Sequence, residues 1–249
     1  MIRLIFFVVL LAFMMNEKIF ADDVHDFLEK AKTSLDAKTD QAHLKMTIKE
    51  PSGELKIREM NLQILRTKNG IKALVRLTAP ADMKDTALLS TIEDGKDQEW
   101  LYIPSSKQVR RIASSKTSTG VLGSELKIED LDPMAMKEAK VTLSKTDPQA
   151  PQITVTPAPN TSEYTQVVTT FSMPHYLPIK TEYFKGTTQQ KTVTFLDYKI
   201  FANNIYRAQK IEIRNIQKNR GTDLDFTDIK VNVPLSAQKF TPSALKESW

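Results

Sequence analysis

The most constraining feature of this chain is a long series of short stretches in which apolar and polar residues alternate, separated by glycine, proline and asparagine. Leu44, Met46 and Ile48 take every second position in the first of these stretches. A side-chain period of two is typical of a β-strand with one buried face. Asn69-Gly70 joins two of the stretches and is a strong signal for a tight hairpin. The pattern therefore predicts consecutive antiparallel hairpins.

The alternating stretches are too many for an open flat sheet. They lie at 42–49, 54–66, 71–77, 87–93, 98–103, 107–112, 138–145, 152–156, 164–173, 178–185, 190–201, 204–216 and 222–232. The alternation changes phase near Arg58, which predicts a β-bulge there. We expect a mainly β (α+β) fold: a strongly curved antiparallel sheet, or incomplete β-barrel, of about ten to twelve strands that must curl to bury one face.

Ahead of the strands, one segment has helical periodicity. Its apolar residues recur three and four positions apart, and they are Val24, Phe27, Leu28, Ala31 and Leu35. Such a stripe predicts an amphipathic helix that lies with one side on another layer. We expect this N-terminal helix, together with short helices, to plug the concave face of the sheet.

The first 21 residues have the layout of an export signal. Arg3 precedes an apolar run from Leu4 to Met15, and Ala21 ends the segment. A run of this length is too short to span a bilayer well, so we expect cleavage near Ala21 and a periplasmic location. The remaining 22–249 is expected to form a single domain.

Composition excludes several classes of protein. The 249-residue chain contains no cysteine, so it has no disulfide framework and no thiolate metal site. Removal of the predicted signal takes away two basic residues and one acidic residue, which leaves a net charge of +4 from 33 basic and 29 acidic residues. So weak a charge, spread over a whole domain, predicts no nucleic-acid partner.

The sequence shows no pattern of catalytic residues. The three histidines have no second ligand at metal-binding spacing, and nucleophile elbows and phosphate-binding glycine loops are missing. Acidic residues cluster around Glu125 and Glu129, where a charged loop is favoured over acid–base chemistry. This cluster belongs to a long interruption at 113–137, which is predicted to be a mobile insertion. We therefore expect no enzyme activity, no metal and no cofactor.

The segment around Trp100 is apolar on both faces of a predicted strand. Trp100 and Tyr102 share one face, whereas Leu101 and Ile103 share the other. A sheet with two apolar faces needs cover on both sides, either from its own chain or from a ligand. Core packing with solvent-exposed arginines is one interpretation. The other is an apolar cleft with an arginine at its mouth.

The second interpretation predicts a ligand site. Its expected cavity residues are Leu44, Met46, Met60, Leu62, Val75, Leu77, Trp100, Tyr102, Phe171 and Phe195. Its expected mouth or lid residues are Phe27, Leu28, Arg58, Arg110, Arg111 and Leu126. Burying an acyl chain of ~15 methylenes would contribute on the order of 12 kcal/mol before ordering costs, which is enough to hold a lipid outside a membrane.

Several motifs resemble the outer-membrane lipoprotein-sorting protein family, which is similar to the LolA-like periplasmic lipoprotein carriers. The resemblance covers most of 50–240, and its most specific block is W-L-Y-x-P followed by V-R-R-I. The matching residues are Pro80-x-Asp82, Trp100-Leu101-Tyr102-Ile103-Pro104, Val109-Arg110-Arg111-Ile112, Gly123-Ser124, Glu129-Asp130-Leu131 and Tyr176-Leu177-Pro178-Ile179-Lys180.

This resemblance implies an incomplete β-barrel whose apolar cavity is plugged by helices. It implies a non-enzymatic carrier, which we expect to be monomeric, of an acylated lipoprotein or a phospholipid. The expected partners of such a carrier are an inner-membrane exporter and an outer-membrane acceptor, and its contact with membranes is expected to be transient. The alternative is a sensor of lipid or lipoprotein that docks on an inner-membrane partner. The candidates for an arginine that faces the cavity are Arg58, Arg76 and Arg110.

Overall fold

The structure is a computed structural model that describes part of the chain. The described residues are 23–93, 96–112, 120–127, 139–159 and 161–247. The signal predicted over 1–21 lies outside them, and so does most of the insertion predicted over 113–137. In the described ranges, no helix has the length and apolar character needed to cross a bilayer.

The strands form one antiparallel sheet in which consecutive strands are also neighbours in space, with two exceptions: the first and last strands pair with each other, and the sixth and seventh do not pair. The sheet has 13 strands, one more than the upper end of the predicted range. Their bounds are Thr39–Lys49 (β1), Leu55–Thr67 (β2), Gly70–Ala79 (β3), Ala87–Glu93 (β4), Lys96–Ile103 (β5), Gln108–Ile112 (β6), Lys140–Ser144 (β7), Gln152–Thr156 (β8), Gln166–Ser172 (β9), Leu177–Lys185 (β10), Thr188–Phe201 (β11), Ile205–Asn215 (β12) and Arg220–Val231 (β13). β6 and β7 are the two edges, so the barrel is not closed.

The predicted irregularity near Arg58 is present in the strand pairing. The register between β2 and β3 shifts between Glu59 and Met60, where Thr78 of β3 is the extra residue. The register between β1 and β2 runs through this region without a shift. Leu55 and Ile57, which produced the apparent change of phase, point away from the concave face and are 57% and 47% exposed.

The concave face carries the larger of two apolar clusters, which we call the inner cluster. It joins residues from strands that lie far apart in the sheet, such as Met60 of β2, Phe171 of β9 and Tyr183 of β10. Contact between such distant strands requires the sheet to curl around them. The curvature that the strand number predicts is therefore present, and the core lies on its concave side.

The N-terminal helix, α1 (residues 23–35), packs on this concave face as predicted. Phe27 and Ala31 are buried in the inner cluster, and Val24 and Leu28 contact it. The ring of Phe27 meets that of Phe171 edge-on, with 5.1 Å between their centroids. A second piece, residues 120–127, also covers the concave face and contains the 3₁₀ turn Val121–Gly123. We call residues 120–127 the lid segment.

The convex face carries a second, outer cluster that is covered by the C-terminal segment. Phe240 and Leu245 pack there against Leu74 and Leu89. Arg76 fixes this segment, because its Nη2 donates to the carbonyl oxygens of Leu245 (2.8 Å) and Glu247 (2.6 Å). The short helices Ala237–Lys239 and Ser243–Lys246 thus lie on the opposite face from the predicted one.

An ion-pair cluster lies at the rim where β1 begins. Asp40 is buried, and its carboxylate accepts bonds from Arg207 Nε (2.7 Å) and Nη2 (3.2 Å) and also from Arg66. The two arginines come from β12 and β2, so one carboxylate links strands on both sides of β1 and β13. Removing a buried carboxylate would leave two guanidinium groups without their counter-charge.

Asp40→Asn should therefore lower the free energy of unfolding by about 3 kcal/mol. Urea denaturation followed by circular dichroism measures this loss. Asp26→Asn is the matched control, because Asp26 pairs with Lys30 on the exposed side of α1 and should leave stability nearly unchanged. Equal effects of the two substitutions would contradict the structural role of Asp40.

Candidate functional site

Most residues predicted to line a ligand cavity come together in the inner cluster. Leu44, Met46, Met60, Val75, Leu77 and Phe171 are buried in it, and Leu62 and Phe195 pack against it. They extend along the concave face from β1, β2 and β3 to β9 and β11. The result is a continuous apolar surface beneath α1 and the lid segment.

Two predicted cavity residues lie elsewhere. Trp100 and Tyr102 pack in the outer cluster, whereas Leu101 between them contacts the inner cluster. The prediction that both aromatic residues line the cavity is therefore wrong. The physical reason is that the second apolar face of β5 is covered by the C-terminal segment and not by a ligand. Sequence alternation showed two apolar faces but not which face was concave.

The apolar residues predicted at the mouth lie on the two covering pieces. Phe27 and Leu28 belong to α1, and Leu126 belongs to the lid segment. All three contact the inner cluster, and Phe27 and Leu126 are buried. They therefore cover the apolar surface directly and are themselves part of the packed core.

Of the candidate arginines, Arg58 faces the concave side next to fully buried residues of the inner cluster. It pairs with Met46 across β1 and β2, and Met46 is fully buried in the inner cluster. The Nη1 atom of Arg58 is buried and has no hydrogen-bond partner among the described residues. Burial lowers the pKa of Arg58 from its usual value because the charged form loses water. A cation in this state is suited to meet an acceptor that arrives with a ligand.

The other arginines have different roles. Arg76 lies on the convex face, where it holds the C-terminal segment. Arg110 and Arg111 are exposed on the edge strand β6, and Arg110 bonds to Gln108 at 2.9 Å and 3.2 Å. Arg110 lies opposite Leu101, so it is on the concave side at the edge of the sheet, four strands from the strand of Arg58. Arg111 lies opposite Trp100, so it is on the convex side and away from the predicted mouth.

The lid segment is fastened to the rim where β1 ends and β13 begins, which we call the lid rim. The Glu125 side chain is buried, and its carboxylate accepts bonds from Arg220 Nη1 (2.8 Å) and Asn215 Nδ2 (2.6 Å). Its backbone N–H donates to Thr222 Oγ1 at 3.0 Å. Arg220 also donates to the carbonyl oxygen of Gly123 at 3.2 Å. One side of the lid segment is thus held by polar bonds.

Arg220 is held in turn by Glu50 at the end of β1. Glu50 accepts from Arg220 Nε (2.7 Å) and Nη2 (2.8 Å), and it also pairs with Lys56 (3.1 Å). These bonds lower the pKa of Glu50 to about 2, and the bond from Arg220 has the larger effect. The same bond to Glu50 raises the pKa of Arg220. The network keeps both groups charged throughout the neutral range.

Sequence reasoning missed this network. In the sequence, Glu125 is one of several acidic residues in a predicted loop, and nothing indicates that Glu50 and Arg220 pair, because 170 positions separate them.

Sequence reasoning also missed Lys191. It is fully buried on the concave side, with its ammonium 4.3 Å from the ring centroid of Tyr183 and 5.4 Å from that of Tyr164. In the described ranges, no group of three or more His, Asp or Glu residues could hold a metal ion.

The lowered pKa of Glu50 predicts how the lid rim responds to acid. A carboxyl group with a folded-state pKa near 2 and an ordinary value of 4.5 stabilises the fold fully above pH 4.5. That contribution is lost as the pH falls from 4.5 toward 2. The difference in unfolding free energy between wild type and Glu50→Gln should shrink over this interval, as measured by urea denaturation at several pH values. A constant difference would contradict the pairing.

Comparison with known structures supports the assignment of the fold. A crystal structure described as an outer membrane lipoprotein-sorting protein domain from Vibrio parahaemolyticus has 28% sequence identity and a TM-score of 0.80, covering 91% of this chain and 100% of that chain. A DUF1329 family protein from Desulfovibrio piger has 19% identity and a TM-score of 0.79, covering 90% and 98%. A LolA superfamily protein from Nitrosomonas europaea has 18% identity and a TM-score of 0.62, covering 88% and 97%.

Comparison by sequence gives the family. No curated protein sequence matches the chain. Residues 70–247 match a family model whose description is that of an uncharacterized protein. The chain therefore belongs to that family, and its fold is the LolA-like incomplete barrel of the outer-membrane lipoprotein-sorting domains.

Proposed function

We propose that this protein is a non-enzymatic carrier that binds the acyl chains of lipoproteins or lipids on the concave face of its sheet. The observation that carries the proposal is the nature of the cover on that face. Among the described residues, the apolar surface is covered by α1 and the lid segment, two pieces outside the sheet, and not by a second sheet. Either piece can move away without breaking a strand pair.

The attachment of α1 suits a displaceable cover. Its contacts with the sheet are mainly apolar, centred on Phe27 and Ala31. The polar contacts are at its exposed surface, where Asp23 pairs with Lys145 at 3.2 Å and the Lys30 ammonium lies 5.8 Å from the ring centroid of Tyr176. Exposed pairs of this kind contribute little, roughly 0–1 kcal/mol.

Magnitudes favour exchange of α1 for hydrocarbon. Exposing two or three apolar side chains of α1 would cost roughly 1.5–3 kcal/mol each. An acyl chain gains about 0.8 kcal/mol for each methylene that it buries. A chain of ~15 methylenes therefore gains about 12 kcal/mol before ordering costs, which exceeds the roughly 3–9 kcal/mol that the helix loses. The covered state and a lipid-filled state can thus both be stable.

The carrier is proposed to act in the periplasm after removal of 1–21, with 22–249 as one domain. Donor and acceptor would be an inner-membrane exporter and an outer-membrane receptor, and contact with either membrane would be transient. The alternative function, a sensor that docks on an inner-membrane partner, is favoured by an exposed insertion at 113–137. The described part of that insertion, the lid segment, packs on the concave face, which supports the carrier.

Acyl uptake tests the proposal. The purified protein should bind a fluorescent fatty acyl probe saturably, and organic extraction should release co-purified lipid. Phe27→Ala should speed probe uptake several-fold, because it removes the buried ring contact between α1 and Phe171 of the inner cluster. Glu29→Ala, on the exposed side of the same helix, is the control and should leave the uptake rate unchanged.

The proposal fails if the protein neither binds the probe nor releases lipid on extraction. It also fails if Phe27→Ala and Glu29→Ala change the uptake rate equally, since binding would then not depend on the cover that α1 provides.

A further inference from the structure

Two guanidinium groups converge on the lid segment at Gly123. Arg220 donates from Nη2 to the carbonyl oxygen of Gly123 at 3.2 Å. Arg58 Nη1 lies 3.9 Å from the position that a Cβ on Gly123 would take. Gly123, which has no side chain, therefore lies close to both a paired guanidinium and an unpaired one.

The pairing of the surrounding charges singles out Arg58. Lys56 pairs with Glu50, Arg220 pairs with Glu50 and Glu125, and Lys127 of the lid segment pairs with Glu163. Arg58 differs from these cations. Within the described part of the chain it has no acidic partner, and its buried Nη1 atom has no hydrogen-bond acceptor. Burying a polar atom in this way costs free energy unless an acceptor arrives to pair with it.

The position of Arg58 indicates where such an acceptor belongs on a ligand. Arg58 is the first polar residue after Met60 on the concave side of β2, toward the lid rim, and the inner cluster extends from Met60 along the concave face. A ligand that placed hydrocarbon on the inner cluster would bring its polar end to Arg58. Its headgroup would then also lie beside Arg220, across Gly123.

We propose that the ligand is an acyl lipid whose headgroup carries a phosphate, which binds Arg58 and takes the place of Glu125 on Arg220. This inference rests on the proposed carrier function. Guanidinium groups bind phosphate oxygens through paired charged hydrogen bonds, and a tetrahedral phosphate presents oxygens in different directions, so one phosphate can meet both arginines. Glu125 would exchange its buried bonds for water as the lid segment opens.

Exchange of anions on Arg220 makes opening of the lid segment depend on the headgroup. When the lid segment opens for a neutral acyl lipid, the bond between Glu125 and Arg220 is lost and no new bond to Arg220 replaces it. A phosphate-bearing lipid replaces that bond and supplies the missing acceptor to Arg58. The lid segment therefore discriminates between lipids of identical acyl chains, in addition to covering the concave face.

Binding of matched short-chain lipids tests this. Dioctanoyl phosphatidylglycerol and dioctanoylglycerol have the same chains and differ by the phosphate headgroup, and both are titrated into the full protein as competitors of a fluorescent acyl probe. The phosphate lipid should bind about tenfold more tightly or better. Arg58→Met should abolish that preference, whereas Arg58→Lys should retain part of it. Arg111→Met, at an exposed position on the convex side of the edge strand, is the control and should keep the full preference.

Glu125→Gln should raise the rate of phosphatidylglycerol uptake several-fold, since it weakens the competitor for Arg220. Equal affinity of wild type for the two lipids would overturn the headgroup assignment while the carrier function stood. Failure to bind either lipid or the acyl probe would instead reject the carrier function. Displacement of phosphatidylglycerol by glycerophosphoglycerol at similar concentration would show a site for free phosphate esters, and this would overturn the lipid assignment.

Discussion

The structure depends on the need to keep one face of an open sheet out of water. The strands place an almost continuous apolar surface on the concave side, and the barrel is unclosed, so curling alone does not bury it. Burial contributes roughly 25 cal/mol per Å² of apolar surface, so covering this face with apolar groups is strongly favoured. The chain supplies α1 and the lid segment for this purpose. A hydrocarbon ligand satisfies the same requirement.

Charged groups set the limits of this apolar surface. At one rim Asp40 joins two arginines from different strands, and at the lid rim Arg220 joins Glu50 and Glu125. Buried ion pairs add little to net stability, but removing one partner is costly because the other charge is left buried and unpaired. Such pairs therefore fix the positions of the segments that carry them. The apolar middle is adaptable, whereas the two ends are specific. This division suits a protein that accepts flexible chains and selects their polar ends.

Much of the fold could be predicted from the sequence because alternation and helical spacing are local signals. The strands around Leu44, the helix carrying Phe27 and the curvature followed from them. The site was predicted only in part. Trp100 was assigned to the wrong face, since alternation cannot say which side of a sheet is concave. Arg220 was missed, because its partners are brought to it by strand pairing between distant segments.

Hydrogen exchange of the backbone amides, with and without a bound acyl lipid, tests the central claim most directly. If hydrocarbon takes the place of the cover, amides of α1 should lose protection on binding, while those of β1 and of the C-terminal segment keep theirs. Lipid that binds in a stoichiometric complex while α1 stays equally or better protected would contradict the account, because the concave face would then have remained covered by the chain itself.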